Sequence, residues 1–267
     1  GGGPAAATEE ATGGAVAALS ASADVEVRAE ERMTITMTRD GGCEGMEVKG
    51  ILQLQSHVEE ASRVRVTLDR GEGLGDFKFQ SHPNISKPLW NGEGVLELKD
   101  PSRGFPVNAD VGVLRWRSTT KDAGRVPLVI NCWPEEVGGG EINVNIEYTL
   151  QRTDLELMDV SIAIPLPSAA APSVVSCDGQ HRHDSRAQTV TWSLDMIDAG
   201  NETGTFEFTI PGDDVDAFFP LAVSFQSTRT LCPIAVAAVQ HVDDGAAVTF
   251  AASTSCVVDS YTVTGDE

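Results

Sequence analysis

The sequence predicts an all-β protein built of antiparallel sandwich layers, and three observations carry that prediction. From Val25 onward the chain is filled with short runs in which apolar and polar residues alternate. Gly, Pro, Asn and Asp separate these runs at intervals of roughly ten to fifteen residues. No stretch shows the 3.6-residue apolar stripe of a long amphipathic helix. Successive strand residues point to opposite faces, so such runs bury every second side chain between two sheets.

Residues 1–23, GGGPAAATEEATGGAVAALSASA, hold little to bury and read as a flexible linker or tail. The run ERMTITMTRDGG alternates Met33, Ile35 and Met37 with Thr34, Thr36 and Thr38 and stops at a Gly turn. MEVKGILQLQ follows with Val48, Ile51, Leu52 and Leu54, and Gly50 reads as a bulge. RVRVTL sets Val64, Val66 and Leu68 against Arg63, Arg65 and Thr67. In DFKFQSHPN, Lys78 and Gln80 alternate outward from Phe77 and Phe79 before a turn at His82-Pro83-Asn84, where Pro fixes φ. Helical turns are expected only at EEASR and around Trp90-Asn91-Gly92. VGVLRWR puts Val111, Val113, Arg115 and Arg117 on one face and Gly112, Leu114 and Trp116 on the other. Similar runs continue to SYTVT near the C-terminus, and in QTVTWSL the alternation of Val190, Trp192 and Leu194 marks Trp192 as core. About fifteen strands exceed one small sandwich, so two stacked subdomains are expected. No fixed period supports a propeller or solenoid.

Charge narrows the function. The chain has 19 Lys and Arg against 40 Asp and Glu, a formal charge of −21. That balance argues against nucleic-acid partners, which need a cationic footprint, but leaves room for a local basic patch because fields are screened within about 10 Å. No apolar run approaches the ~20 residues of a membrane span, and no signal segment opens the chain, so it reads as soluble. It begins with Gly rather than Met, as a fragment would. Cys43, Cys132, Cys177, Cys232 and Cys256 are widely spaced, odd in number and without a CxxC, which fits reduced thiols in the cytosol better than a disulfide framework or structural zinc.

The densest polar cluster is QHRHDSR, with His181, His183 and Asp184 in four residues. On a strand the two histidines share a face and the acid points away, so neither a three-ligand metal site nor a His–Asp dyad forms locally. Flanking strands make Asp184-Ser185-Arg186 a hairpin turn, with Asp and Ser bonding nearby backbone. A metal-dependent hydrolase at the two histidines is the enzymatic alternative. The acid pairs Glu135-Glu136, Asp213-Asp214 and Asp243-Asp244 sit by Gly or Pro and read as solvated loops. VGGGE at 137–141 follows two acids that repel phosphate, and no GxSxG or HExxH occurs.

FPVNADVGVL, LVINCWP, IPLPS, HRHDSR and FFPLAVSF together resemble the mu homology domain of coatomer delta subunits, itself similar to clathrin-adaptor medium chains. The resemblance covers about residues 27–265 and implies an elongated antiparallel β structure of two sandwich subdomains, one inserted in the other. It places subdomain A at about 24–117 plus 213–267 and subdomain B at about 118–212. It implies a cytosolic, non-catalytic module of the COP-I vesicle coat, without cofactor or metal, peripheral on Golgi membranes and vesicles. Its expected partners are other coatomer subunits, an Arf-class small GTPase acting through the whole coat, and tryptophan-based acidic motifs of an endoplasmic-reticulum tethering complex or cargo. The alternative role is structural, packing against other coatomer subunits without reading peptides. The parent subunits carry an N-terminal longin-like domain, so residues 1–23 resemble the end of a linker. Medium chains that read tyrosine signals use an acid on an early strand and Trp-x-Arg on a late one. Residues 33–38 hold no acid, and Phe250 and Ala252 stand in VTFAAST, so that pocket is expected to be missing.

A tryptophan motif needs an apolar slot for the indole and donors for flanking acids. Read from their chemistry and not carried over from the family, Lys78, Gln80, His82, Arg115 and Arg117 are the candidate peptide-binding residues. Arg182 and Arg186 are the candidate coat contact.

Overall fold

The computed structural model describes residues 23–265, so residues 1–22 of the predicted linker lie outside the described residues. Strands β1 (Val25–Thr38) and β2 (Cys43–Ser56) form a long hairpin. Its turn closes through Thr38 N–H donating to the Gly42 carbonyl at 2.8 Å, with Gly41 at φ +83°, a conformation glycine adopts without a Cβ penalty. Strand β6 (Val111–Thr120) pairs with β2, and β4 (Lys78–Ser81) pairs with β6 as the edge. On the other side of β1 lie β16 (Phe250–Thr264), β14 (Leu221–Ser227), β9 (Leu157–Pro165), β12 (Thr189–Ile197) and β11 (Gln180–Asp184). These make one nine-stranded sheet, ordered β11-β12-β9-β14-β16-β1-β2-β6-β4.

Two smaller sheets cover it. One is four-stranded, of β10 (Ser173–Cys177), β13 (Thr203–Pro211), β8 (Glu141–Leu150) and β7 (Leu128–Gly138) in that order. The other is β15 (Ile234–His241), β3 (Val64–Arg70) and β5 (Val95–Leu96). The predicted helical turns are a 3₁₀ turn at Glu59–Ala61 and a seven-residue helix, α1 (Lys87–Glu93), closed by Gly94 in the left-handed region.

The structure departs from the sequence expectation at several points, among them further 3₁₀ turns at Leu74–Asp76, Ala123–Arg125 and Val215–Phe218. The pairing is not wholly antiparallel: β1 and β16 run parallel along their length, from Val25 opposite Phe250 to Thr38 opposite Thr264. These are the first and last strands, so no tight hairpin constrains their direction. One sheet contributes to both cores, so the two sandwich layers share it. Gly50 is not a bulge; it sits in register opposite Glu31 and Trp116. The bulge lies instead on β6, where Leu52 faces Leu114 and Gln53 faces Gly112, so Val113 and Leu114 are both buried. This extra residue inverts the alternation, and Val113 does not share the face of Arg115 and Arg117.

The inner face of the β1–β2 hairpin serves two cores. Val25, Val27 and Ala29 with Leu52 and Leu54 join β3, Val113 and Trp90 in one. Met33, Ile35 and Met37 with Met46 and Val48 join Ile146, Trp192, Phe206 and Tyr261 in the other. Fully burying one such side chain contributes about 1.5–3 kcal/mol, so the chain's alternation alone drives both layers together. Between the cores, on the same buried face, stand Glu31 and Gly50.

In the second core a glycine lies under an aromatic ring. Gly204 faces Tyr148 across β13 and β8, and a Cβ built on Gly204 would lie 2.4 Å from the Tyr148 ring. The ring crosses the glycine, and its hydroxyl donates to the Asn201 carbonyl at 3.0 Å. Gly204→Ala should therefore lower stability by about 2 kcal/mol through overpacking, measured by urea unfolding; a change under about 0.5 kcal/mol would mean the ring moves freely.

Candidate functional site

The candidate residues fall on the outer face of β6 and β4 and in the loop after it. Cross-strand register pairs Lys78 with Arg117 and Gln80 with Arg115, and all four side chains are exposed. Their inward neighbours Phe79 and Trp116 are also paired, with ring centroids 6.4 Å apart, and Phe79 lies 5.4 Å from Trp90 of α1. The aromatic layer beneath thus holds the cationic layer above. Among the described residues Lys78 and Arg115 have no acidic partner, whereas Arg117 donates from Nε to Glu47 at 2.5 Å. The Lys49 ammonium, 2.8 Å from Glu47, and then the Arg117 guanidinium hold that carboxyl below the usual range.

His82 is set apart from that face. Its backbone N–H bonds Val113, and its Nδ1 accepts from the Asn84 N–H at 3.1 Å, which leaves Nε2 for another partner. It lines a cleft of about 580 Å³ with Ile85, Leu98 and Phe105 as apolar wall and Lys99 and Arg103 as cations. That volume falls within the ~300–1,000 Å³ usual for ligand pockets. The cleft walls are tied down by Lys99 N–H to Asn84 and Phe105 N–H to Ser62, each at 2.8 Å. A smaller hollow lined by Gln80, His82, Pro83 and Arg115 joins His82 to the cationic face. The geometry therefore offers an apolar slot beside cations that have no acidic partner among the described residues.

A network that sequence reading did not single out fixes this region from below. Glu31 is 1% exposed. It accepts from Trp116 Nε1 at 2.8 Å, from the Leu231 N–H at 2.5 Å and from the Cys232 N–H at 2.9 Å. Burial pushes its carboxyl up, against the pull of these donors. The Trp116 indole reaches Glu31 by crossing Gly50, where a built Cβ would stand 1.9 Å from the ring.

QHRHDSR forms the predicted hairpin turn. The Asp184 carboxylate accepts from the Arg186 and Ala187 N–H groups, each at 3.0 Å. His181 stacks on Phe206 with centroids 5.7 Å apart, and Arg182 and Arg186 are exposed. Among the described residues no cluster of three or more His, Cys, Asp or Glu could hold a metal ion. All five cysteines are free, and burial pushes the Cys132 thiol up to about 12. No helix among the described residues is long and apolar enough to cross a membrane.

The strands of a tyrosine pocket, β1 and β16, meet here in parallel register. Phe250 and Ala252 lie beside Val25 and Val27, not beside residues 33–38. The acid there, Glu26, lies 3.4 Å from Arg28 and 3.6 Å from His57.

An exposed cationic sheet face beside an apolar cleft marks the candidate site of this β-sandwich domain. The profile of the adaptor complexes medium subunit family matches residues 18–264, and the chain belongs to that family. Within it the likeness is to delta subunits of coatomer. The chain is 38% identical over 239 residues to a probable coatomer subunit delta of Caenorhabditis elegans, covering 90% of this chain and 46% of that protein. It thus spans about half the length of the curated relatives it matches. The yeast delta-COP-I mu-homology domain superposes with a TM-score of 0.77 at 27% identity, covering 90% of this chain and 97% of that one. The same yeast domain complexed with a Dsl1 WxWxV peptide gives 0.77 at 26% identity, covering 90% and 98%.

Proposed function

We propose that this chain is a non-catalytic docking domain of the COP-I coat that binds tryptophan-based acidic peptide motifs in Golgi-to-endoplasmic-reticulum and intra-Golgi transport. The observation that carries the reading is the likeness, over nine-tenths of the chain, to a yeast domain solved with a WxWxV peptide. Supporting it, Lys78, Gln80, Arg115 and Arg117 present donors for acidic side chains, and the His82 cleft has the size and apolar wall for an indole. Residues 24–117 with 213–267 would form the subdomain bearing the site. Residues 118–212 would form the inserted one, in keeping with the four-stranded sheet drawn entirely from Leu128–Pro211. Arg182 and Arg186 would contact other coatomer subunits, and an Arf-class GTPase would recruit the whole coat to the cytosolic face of Golgi membranes.

Calorimetric titration with a Trp-x-Trp peptide flanked by acids tests the reading. Micromolar binding that weakens with salt is expected. Lys78→Glu with Arg115→Glu should weaken it at least tenfold. Absence of binding by the unaltered chain would favour a purely structural role in the coat, and unchanged affinity in the double variant would remove this face from the site.

A further inference from the structure

The outer face of the long sheet carries a feature that the five candidate residues only touch. Arg32 on β1 is in register with Lys49 on β2, Lys49 with Arg117 on β6, and Arg117 with Lys78 on β4. All four side chains are exposed, so four cations stand directly opposite one another across four adjacent strands. Like charges in cross-strand positions destabilise a sheet. The compensation is partial: Asp259 meets Arg32 at 2.7 Å, Glu47 lies between Lys49 and Arg117, and Lys78 has no acid among the described residues. Arg115 adds a fifth cation in the next row, opposite Gln80. This concentration stands on a chain of formal charge −21.

We propose that the row Arg32–Lys49–Arg117–Lys78 is an electrostatic track for an acidic, extended peptide segment that crosses the strands of the sheet toward the His82 cleft. The inference deepens the docking reading above and rests on it. It assigns to Arg32 and Lys49, neither a candidate residue there, the far end of the peptide's path. Three inter-strand spacings span about 14 Å, the length of about four extended residues. A run of about four Glu or Asp beside the tryptophan core therefore matches the row. A narrow chain suits this surface better than a bilayer. A flat anionic membrane would also face Glu47 and Asp259, which touch the row, and Glu30, two residues from Arg32 on β1, and would feel the negative body within about 10 Å.

The test uses the 267-residue chain and synthetic peptides with a Trp-Ala-Trp-Ala-Val core, carrying four glutamates or four glutamines at either end. The glutamate tail on one end should tighten binding about tenfold at low salt. Arg32→Glu with Lys49→Glu should erase that difference while leaving the glutamine-tailed peptide within about twofold. Arg32→Gln with Lys49→Gln should lose an intermediate part, and circular dichroism reports whether either variant is folded. A tail effect that survives the double reversal overturns the track and leaves the docking reading standing. No binding of any peptide to the unaltered chain overturns both. If vesicles containing phosphatidylserine bind the chain through Arg32 and Lys49 while the peptides ignore them, the row is a lipid surface and the proposal fails.

Discussion

Gly50→Ala is expected to lower the unfolding free energy by about 3 kcal/mol, the larger part arising from one displaced ring. The added Cβ would stand 1.9 to 2.4 Å from three atoms of the Trp116 indole, far inside contact distance. The ring is 3% exposed and packed beside Phe79, so it cannot swing into solvent. Either β2 or Trp116 shifts, and the Trp116 bond to Glu31 is strained or lost. For a domain of this size, about 3 kcal/mol corresponds to a melting temperature lower by roughly 6–12 °C. The mechanism has its own signature. In the background of Trp116→Leu, which removes the crossing ring, Gly50→Ala should cost far less than in the parent, a coupling read from urea midpoints. Additive losses would show that the ring and the glycine do not interact.

Glu31→Ala is expected to cost about 3 kcal/mol as well, by a different route. The carboxylate satisfies two backbone N–H groups and one indole N–H at positions no more than 7% exposed. Each buried donor left unmade costs about 1–3 kcal/mol, offset in part by no longer burying a charge. Amide exchange at Leu231 and Cys232 should accelerate before global unfolding does, because their acceptor is gone. The pH dependence follows from the raised carboxyl. The native state keeps the Glu31 proton at pH values where the unfolded chain, near 4.3, has lost it. The native state then binds more protons, so the stability owed to this group is greatest in acid. It falls as pH rises from about 4.3 through the raised native value, then levels off. Glu31→Gln cannot ionise, so the parent's stability relative to that variant should decline across this window. A rise instead would mean that the three donors outweigh burial and lower the carboxyl.

Much of this was legible in the chain. Met33, Ile35 and Met37 against threonines, and Phe77 and Phe79 against Lys78 and Gln80, specify strand and facing because the period of two is set by backbone geometry alone. Asp184-Ser185-Arg186 was legible as a turn because its bonds are local, between residues two and three apart. Glu31 carries its own signal in the chain: counting by twos from Met33 places it on the buried face, where an acid demands donors. The bulge at Val113–Leu114 left no such mark, since both residues are apolar and only the pairing with β2 requires the extra residue.

The sequence by itself determined the class of fold, the turn at QHRHDSR and the outward facing of Lys78, Gln80, Arg115 and Arg117, all of which depend on alternation and neighbouring residues. Tertiary structure alone decided that β1 and β16 lie parallel, that Trp116 reaches Glu31 over Gly50, and that Arg32, Lys49, Arg117 and Lys78 fall in one row. Those relations join residues tens to hundreds of positions apart. They depend on strand order and register, which follow from how two cores close on one sheet and not from any local pattern.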